Sequence, residues 1–269
     1  MTNIILSGCN GKMGQVIARL LSEDNSARVI FGYDINKEMK NSFPVFSDFG
    51  ETELGGDVVI DFSHPSSFSS VTKYCRETKT PLVMATTGLS DEQKDELLSL
   101  SKEVAVFFSA NMSIGVNLLV NLVKKATAIL GDAFDIEIIE KHHNLKIDAP
   151  SGTALMIADE ISSVTQYSPE YVYDRHSVRK KRTSHEIGIH AVRGGTIVGE
   201  HDVIFAGNDE IIEIKHTATS KEIFATGSIR AAKFIKDAKP GMYNMSNLIA
   251  GALISHKTKY IFIFLNRQT

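Results

Sequence analysis

Between Glu140 and Thr153 the chain reads Glu-Lys-His-His-Asn-Leu-Lys-Ile-Asp-Ala-Pro-Ser-Gly-Thr. Two adjacent imidazoles, His142 and His143, stand beside Lys146 and between the carboxylates of Glu140 and Asp148. Histidine titrates nearest neutrality, and a lysine supplies positive charge or a proton. Pro150 ends any extended run and Ser151 suits a helix N-cap, so Gly152 and Thr153 open a helix whose free N–H groups, with the Thr153 hydroxyl, face an anion. Proton donation to a small, negatively charged substrate is the chemistry this combination suits. Zinc is disfavoured: neighbouring residues of an extended segment point to opposite faces, no HExxH or paired-cysteine pattern is present, and a lysine in the cluster repels a cation. Ser151 lacks the GxSxG elbow of a nucleophile.

A second group lies near the amino terminus. Gly8-Cys-Asn-Gly-Lys-Met-Gly14 separates a strand-like run from a helical one, so its backbone N–H groups and the helix dipole face a pyrophosphate. The spacing is GxxGxxG, with Asn10 at the place where the common GxGxxG fingerprint has its second glycine, and alone it is weak. Asp34 follows the second strand, 20 residues past Gly14, where a carboxylate meets ribose hydroxyls. Ile35 follows it, so no arginine adjoins Asp34 to pair with a 2′-phosphate; Lys12 or Lys37 could do so, and NADH and NADPH both stay open. Ala85-Thr-Thr-Gly88 and Ser109-Ala-Asn-Met112 end two later strands, as Asp61-Phe62-Ser63 ends another, at the edge where open α/β sheets bind ligands.

The elements that must position these groups follow from periodicity. Strands are expected at Asn3–Leu6, Val29–Tyr33, Val58–Phe62, Leu82–Ala85 and Val104–Phe108, alternating with helices at Lys12–Ser22, about Ser66–Glu77 and Asp91–Ser101. Such alternation implies a doubly wound parallel sheet of Rossmann type. Ser90 reads as the cap of the third helix. The pattern then changes: a long helix over Gly115–Leu130, a strand at Asp135–Glu140, a helix over Gly152–Ser162, and strands at Glu186–Arg193, Thr196–Phe205 and Glu210–His216. Good turn sequences at Gly194-Gly195 and 206–209 join the last three, indicating a second α+β domain with a mixed, largely antiparallel sheet. A helix over Lys221–Lys236 is free to return to the first domain. The domains so read are 1–112 with 222–253, then 113–221, followed by an atypical tail over 254–269.

Composition narrows the class. The chain has 269 residues, 43% hydrophobic and 23% charged, which suffices for a substantial core. A net charge of -3 gives no case for nucleic acid. The basic run Arg175–Arg182 reads as a solvated loop, or as a rim attracting an acidic substrate. Cys9 and Cys75 make no disulfide framework and fit a reducing cytosol. With no signal pattern at Met1 and no apolar run long enough for a bilayer, a cytoplasmic protein without a membrane partner is expected.

The Glu-x-His-His-x-x-Lys-x-Asp-x-Pro-Ser-Gly-Thr-Ala form of Glu140–Ala154 resembles the signature of the 4-hydroxy-tetrahydrodipicolinate (dihydrodipicolinate) reductases of the diaminopimelate route to lysine. The Gly8–Gly14 loop, Ala85–Gly88, Ser109–Ser113 and Arg193-Gly-Gly-Thr-Ile-Val-Gly-Glu-His201 agree in order and spacing, from about residue 3 to residue 250. The resemblance implies His142 as proton donor/acceptor and Lys146 as proton donor. It implies His143, Gly152 and Thr153 as substrate ligands for a small dicarboxylate. NADH or NADPH would lie on Gly8, Cys9, Asn10, Gly11, Lys12, Met13 and Gly14, on Asp34, on Ala85, Thr86 and Thr87, and on Ser109, Ala110, Asn111 and Met112. It also implies a homotetramer built through the second sheet. Two other readings stand beside it: an aspartate dehydrogenase-like enzyme, and a non-catalytic NAD(H)-binding regulator, which leaves the His142–Lys146 cluster unexplained.

Overall fold

A computed structural model of the chain describes residues 1–52 and 54–252. They form two compact units, Met1–Ile114 with the segment from Glu222, and Gly115–Lys221. Residue 253 and the tail read over 254–269 lie outside the described residues.

The first unit begins with β1 (Thr2–Ser7), α1 (Lys12–Ser22), β2 (Ala27–Tyr33), β3 (Val45–Phe46), β4 (Val58–Asp61), α2 (Phe68–Thr78), β5 (Leu82–Met84), α3 (Asp91–Leu100) and β6 (Ala105–Phe108). Then come α4 (Ile114–Leu130) and the second unit's β7 (Asp135–His142), α5 (Gly152–Ser162), β8 (Glu170–Val172), β9 (Glu186–Arg193), β10 (Gly199–Ala206) and β11 (Ile211–Ala218). The chain returns to the first unit with α6 (Glu222–Ile235) and β12 (Gly241–Tyr243), and residues 245–252 are helical.

The first unit is a parallel sheet of order β12-β6-β5-β4-β1-β2-β3. Its strands are continuous apolar runs because helices cover both faces. Ile4, Leu6, Val58 and Ile60 pack toward α1 and α6, while Ile5, Val59, Leu82 and Met84 pack toward α2 and α3. Strand order reverses between β1 and β4, which places the topological switch point at the ends of these two strands. Ser90 caps α3, forming a reciprocal pair with Gln93.

The second unit is a mixed sheet of order β11-β10-β7-β9-β8. Its central strand, β7, is parallel to β9 and antiparallel to β10. Ile136 and Ile138 of β7 pack with Leu119 and Val123 of α4 and Ile157 and Ile161 of α5. By length and composition alone, the helix over Ile114–Ala133 could cross a membrane; Leu119, Val120 and Val123 on it are buried in this core.

Two features depart from the periodicity. The strands β3, β8 and β12, of two or three residues each, are too short to show alternation. The Gly194-Gly195 turn joins no hairpin: β9 and β10 flank β7 rather than each other, and β10 begins at Gly199. The 194–198 connection instead crosses the end of β7, where Gly194 N–H donates to the His142 carbonyl (2.9 Å) and Asn144 N–H to that of Gly195 (3.2 Å). The 207–210 turn does close a hairpin, between β10 and β11.

Candidate active site

Strand alternation puts Glu140 and His142 on the face of β7 that Ile136 and Ile138 bury. Register then supplies their neighbours: His142 lies level with Arg193 of β9, and Glu140 with His201 of β10. The fully buried Glu140 carboxylate takes both terminal nitrogens of Arg193, each at 2.7 Å, in a bidentate fork. Oε2 also accepts from His142 Nδ1 (2.6 Å) and Oε1 from the Ser151 N–H (2.9 Å). Burial alone would push this carboxyl up; Arg193, His142 and Ser151 together outweigh it and hold Glu140 below the usual carboxylate range.

The connection after β7 carries the other groups. Lys146 Nζ lies 2.7 Å from Asp148 Oδ1, and this ammonium, helped by backbone N–H groups that include Gly152, holds Asp148 below its ordinary value. The Ala149–Pro150 peptide is cis. Ser151 is the N-cap of α5, accepting from the Ala154 N–H at 3.1 Å, so Gly152 and Thr153 form the helix's first turn, as its residue types predict. Gly152 is exposed and Thr153 half-buried. His143 keeps a buried Nδ1 without a hydrogen-bond partner among the described residues.

Arg193 and His201, which the sequence offers only as the ends of a motif, join the site without an expected role. His201 Nε2 sits 3.1 Å from Ser151 Oγ, and its ring meets that of His142 edge-on with centroids 5.4 Å apart. Burial, reinforced by the neighbouring His142, pushes His201 down to about 4, so it is neutral near pH 7. The sequence signal for both was the Arg193–His201 motif that they bound; which strand each would pair with is a tertiary fact. The basic run, by contrast, ties a loop to the sheet. Arg175 binds Glu186 and Glu137, and Arg182 binds Asp135, Glu137 and the carbonyls of Ile136 and Glu186.

In the first unit, two clefts open at the carboxyl ends of the strands. One, of about 520 Å³, is lined by Gly8, Asn10, Gly11, Asp34, Asn36, Phe62 and Ser63 among others. The other, of about 540 Å³, is lined by Met13, Phe62, Ala85, Thr86, Thr87, Ser109, Ala110, Asn111 and Met112 among others. Gly8 has φ +75°, and a Cβ there would lie 2.5 Å from the Phe62 carbonyl oxygen; one on Gly14 would lie 2.1 Å from that of Gly8. Gly11 is the N-cap of α1 and offers no side chain to its first-turn N–H groups. Asp34 accepts from the N–H groups of Asn10 and Asn36, both at 2.9 Å, which fixes its carboxylate at the end of β2. Thr86 turns its hydroxyl onto the buried Asp61 (2.6 Å), joining the loops after β4 and β5.

Three residues of the expected cofactor set line neither cleft. Cys9 is buried in the core, its thiol pushed up to about 12 by desolvation. Gly14 is buried against the loop, and Lys12 is exposed at the start of α1. Ser63 belongs to the Asp61-Phe62-Ser63 run read at this edge; the further lining residues His64 and Ser66 follow it after β4, the strand at the switch point, which is the signal that could have found them.

Comparison with known proteins adds names to this geometry. The family profile described as "Dihydrodipicolinate reductase, N-terminus" matches residues 2–112, and "Dihydrodipicolinate reductase, C-terminus" matches residues 115–249. A 4-hydroxy-tetrahydrodipicolinate reductase of Caldanaerobacter subterraneus subsp. tengcongensis is 52% identical over 249 residues, covering 93% of this chain and 98% of the relative. One from Staphylococcus saprophyticus is 48% identical over 239 residues, covering 88% and 97%. Among solved structures, a dipicolinate-bound dihydrodipicolinate reductase from Paenisporosarcina sp. TG-14 shares the fold, with TM-score 0.77 at 24% identity over 91% of this chain and 97% of that one.

Proposed function

The chain belongs to the dihydrodipicolinate reductase family and is an oxidoreductase that reduces 4-hydroxy-tetrahydrodipicolinate to tetrahydrodipicolinate with a nicotinamide cofactor; from that premise we propose how its residues divide the work. The pathway is the diaminopimelate route to lysine, and the setting the cytoplasm.

The cofactor rests on the first unit. Neither Gly8 nor Gly14 has room for a Cβ, and the uncapped first turn of α1 leaves N–H groups for a pyrophosphate, so these residues fit a dinucleotide. Asp34 takes the ribose hydroxyls, while Ala85–Thr87 and Ser109–Met112 line the remainder of the path. Reduced cofactor, when bound, supplies the hydride. Asp34 repels a 2′-phosphate, and Lys37 is engaged by Glu51 at 3.4 Å; both support NADH as the better of the two cofactors.

The second unit holds the substrate and moves the proton. Gly152 N–H and the Thr153 hydroxyl grip one carboxylate, and His143 holds the ring's other polar end. Asp148 gives up its place on Lys146 and Gly152 to the substrate anion. His142 and Lys146 deliver the proton that matches the hydride, onto the unsaturated bond left when the 4-hydroxyl departs as water. The observation that carries this reading is the register of β7, which sets His142 on a buried carboxylate–arginine pair beside the loop of Lys146 and the start of α5. Four chains assemble through the five-stranded sheet, which light scattering would detect as a homotetramer.

The test is a coupled assay on the condensation product of pyruvate and aspartate semialdehyde, run with NADH and with NADPH, beside oxaloacetate plus ammonia. Rapid oxidation with the first substrate, faster at low NADH than at equal NADPH, is expected. Turnover confined to oxaloacetate plus ammonia would replace this reading with an aspartate dehydrogenase.

A further inference from the structure

We propose that Glu140, held by Arg193, is a positioning residue that keeps one hydrogen on His142 Nδ1, so that Nε2 takes up a second proton from solvent, as an imidazolium the carboxylate stabilises, and passes that proton to substrate. The inference rests on the reading of His142 as proton donor and adds the device that prepares it.

Four hydrogen bonds converge on two oxygens. Oε1 accepts from the Ser151 N–H and Arg193 Nη2, and Oε2 accepts from Arg193 Nη1 and His142 Nδ1. An ionised carboxylate only accepts, so His142 must present Nδ1–H to it. Arg193 is what keeps a fully buried carboxylate ionised, since an unpaired one would take up a proton instead. Nε2 is left on the side of Gly199, where even a methyl group would come within 3.1 Å of it. The remaining groups around the ring add no competing acceptor for Nδ1. His201 of β10 meets it edge-on and is itself bonded to Ser151, and Lys146 follows in the next loop. Second-layer control of an imidazole tautomer is a recurrent way of readying it for proton transfer.

This arrangement makes an unusual demand on glutamine at the same position. Glu140→Gln keeps the shape but turns one oxygen into an NH2 group. On the Oε1 side that group would face the Ser151 N–H, a backbone donor that cannot become an acceptor. On the Oε2 side it would face His142, which can accept by moving its hydrogen to Nε2. An Arg193 N–H opposes the NH2 group on either side, so the difference between Ser151 and His142 decides: the amide settles toward His142 and drives the ring into the other tautomer.

Magic-angle-spinning 15N spectra of the full chain labelled at histidine, with His142 identified by its loss in His142→Asn, read the tautomer directly. We expect neutral His142 to carry hydrogen on Nδ1 in the natural protein and on Nε2 in Glu140→Gln. We also expect kcat to fall about 10²–10⁴-fold in that variant, the usual range for general acid–base catalysis, with KM changed only a few-fold. Arg193→Lys keeps a cation beside the carboxylate and should retain Nδ1–H. An Nε2–H tautomer in the natural protein overturns the proposal, even if Glu140→Gln does not fold. So does a Glu140→Gln protein that retains both Nδ1–H and near-normal kcat. A natural protein with Nδ1–H but no reductase activity would instead remove the reading of function and leave the tautomer assignment standing.

Discussion

At the scale of single residues, the second unit separates the groups proposed to touch substrate from those that hold them. Lys146 and His142 are partly accessible, while Glu140 and His201 are buried behind them. Replacing either proton donor should therefore leave the fold and cofactor binding intact. Lys146→Met and His142→Ala are each expected to lower kcat by ~10²-fold or more, with NADH affinity, read by fluorescence, unchanged. Near-normal turnover in both would remove these residues from the chemistry. The buried groups instead govern stability against pH. His201 stays neutral in the folded protein down to about 4, whereas an unfolded chain protonates it near 6.5. Between those values the unfolded state binds more protons, so stability falls as pH is lowered through that window. Glu140 and Glu186, both held low by their arginines, lose their contributions only at lower pH still. The urea midpoint should decline from about pH 6.5 downward, and His201→Gln should flatten the decline between 6.5 and 4.

At the scale of elements, sites stand where ends of strands and helices meet. α1 can approach the Gly8 turn only because Gly14 has no side chain: a Cβ would lie 2.1 Å from the Gly8 carbonyl oxygen and 2.7 Å from the backbone of Cys9. Backbone on both sides cannot rotate away as a flexible side chain could. Gly14→Ala should push the first turn of α1 off the loop, destabilise the first unit by about 1–3 kcal/mol or more, and weaken NADH binding. Calorimetry and fluorescence titration would check it; an unchanged melting temperature with unchanged affinity would show that the helix does not seat on the loop in this way. Periodicity made α1, α5 and β9 legible with the bounds they have, because each presents a full apolar stripe or alternation. The strands β3, β8 and β12 were illegible because two or three residues carry no period and, unlike the equally short β5, none is a run of three apolar residues.

For the whole molecule, the order of elements along the chain differs from their order in space. α6 follows the second unit in sequence but buries Ala225, Ile229, Ala231, Ala232 and Ile235 in the core of the first, beside Ile4, Leu6 and Ile60. A chain ended at Lys221 leaves that face of the sheet uncovered. It should lose cooperative melting of the first unit together with NADH binding, which thermal denaturation and fluorescence would report; retention of both would show that α6 is dispensable.

The proposed chemistry was legible in Glu140–Thr153 by themselves: titratable side chains, a helix-opening Ser-Gly-Thr step and a lysine expected to repel a cation are properties of residue type and near neighbours. The glycine turn and Asp34 likewise fix a dinucleotide-like β-α-β start, because hydrophobic period and turn chemistry are local. Only the tertiary structure decided that β7 lies between β9 and β10. That register brings Arg193 and His201 to Glu140 from more than fifty residues away. Strand order depends on long-range burial, which no local pattern encodes. It changes Glu140 from one carboxylate among several into the buried group that orients His142.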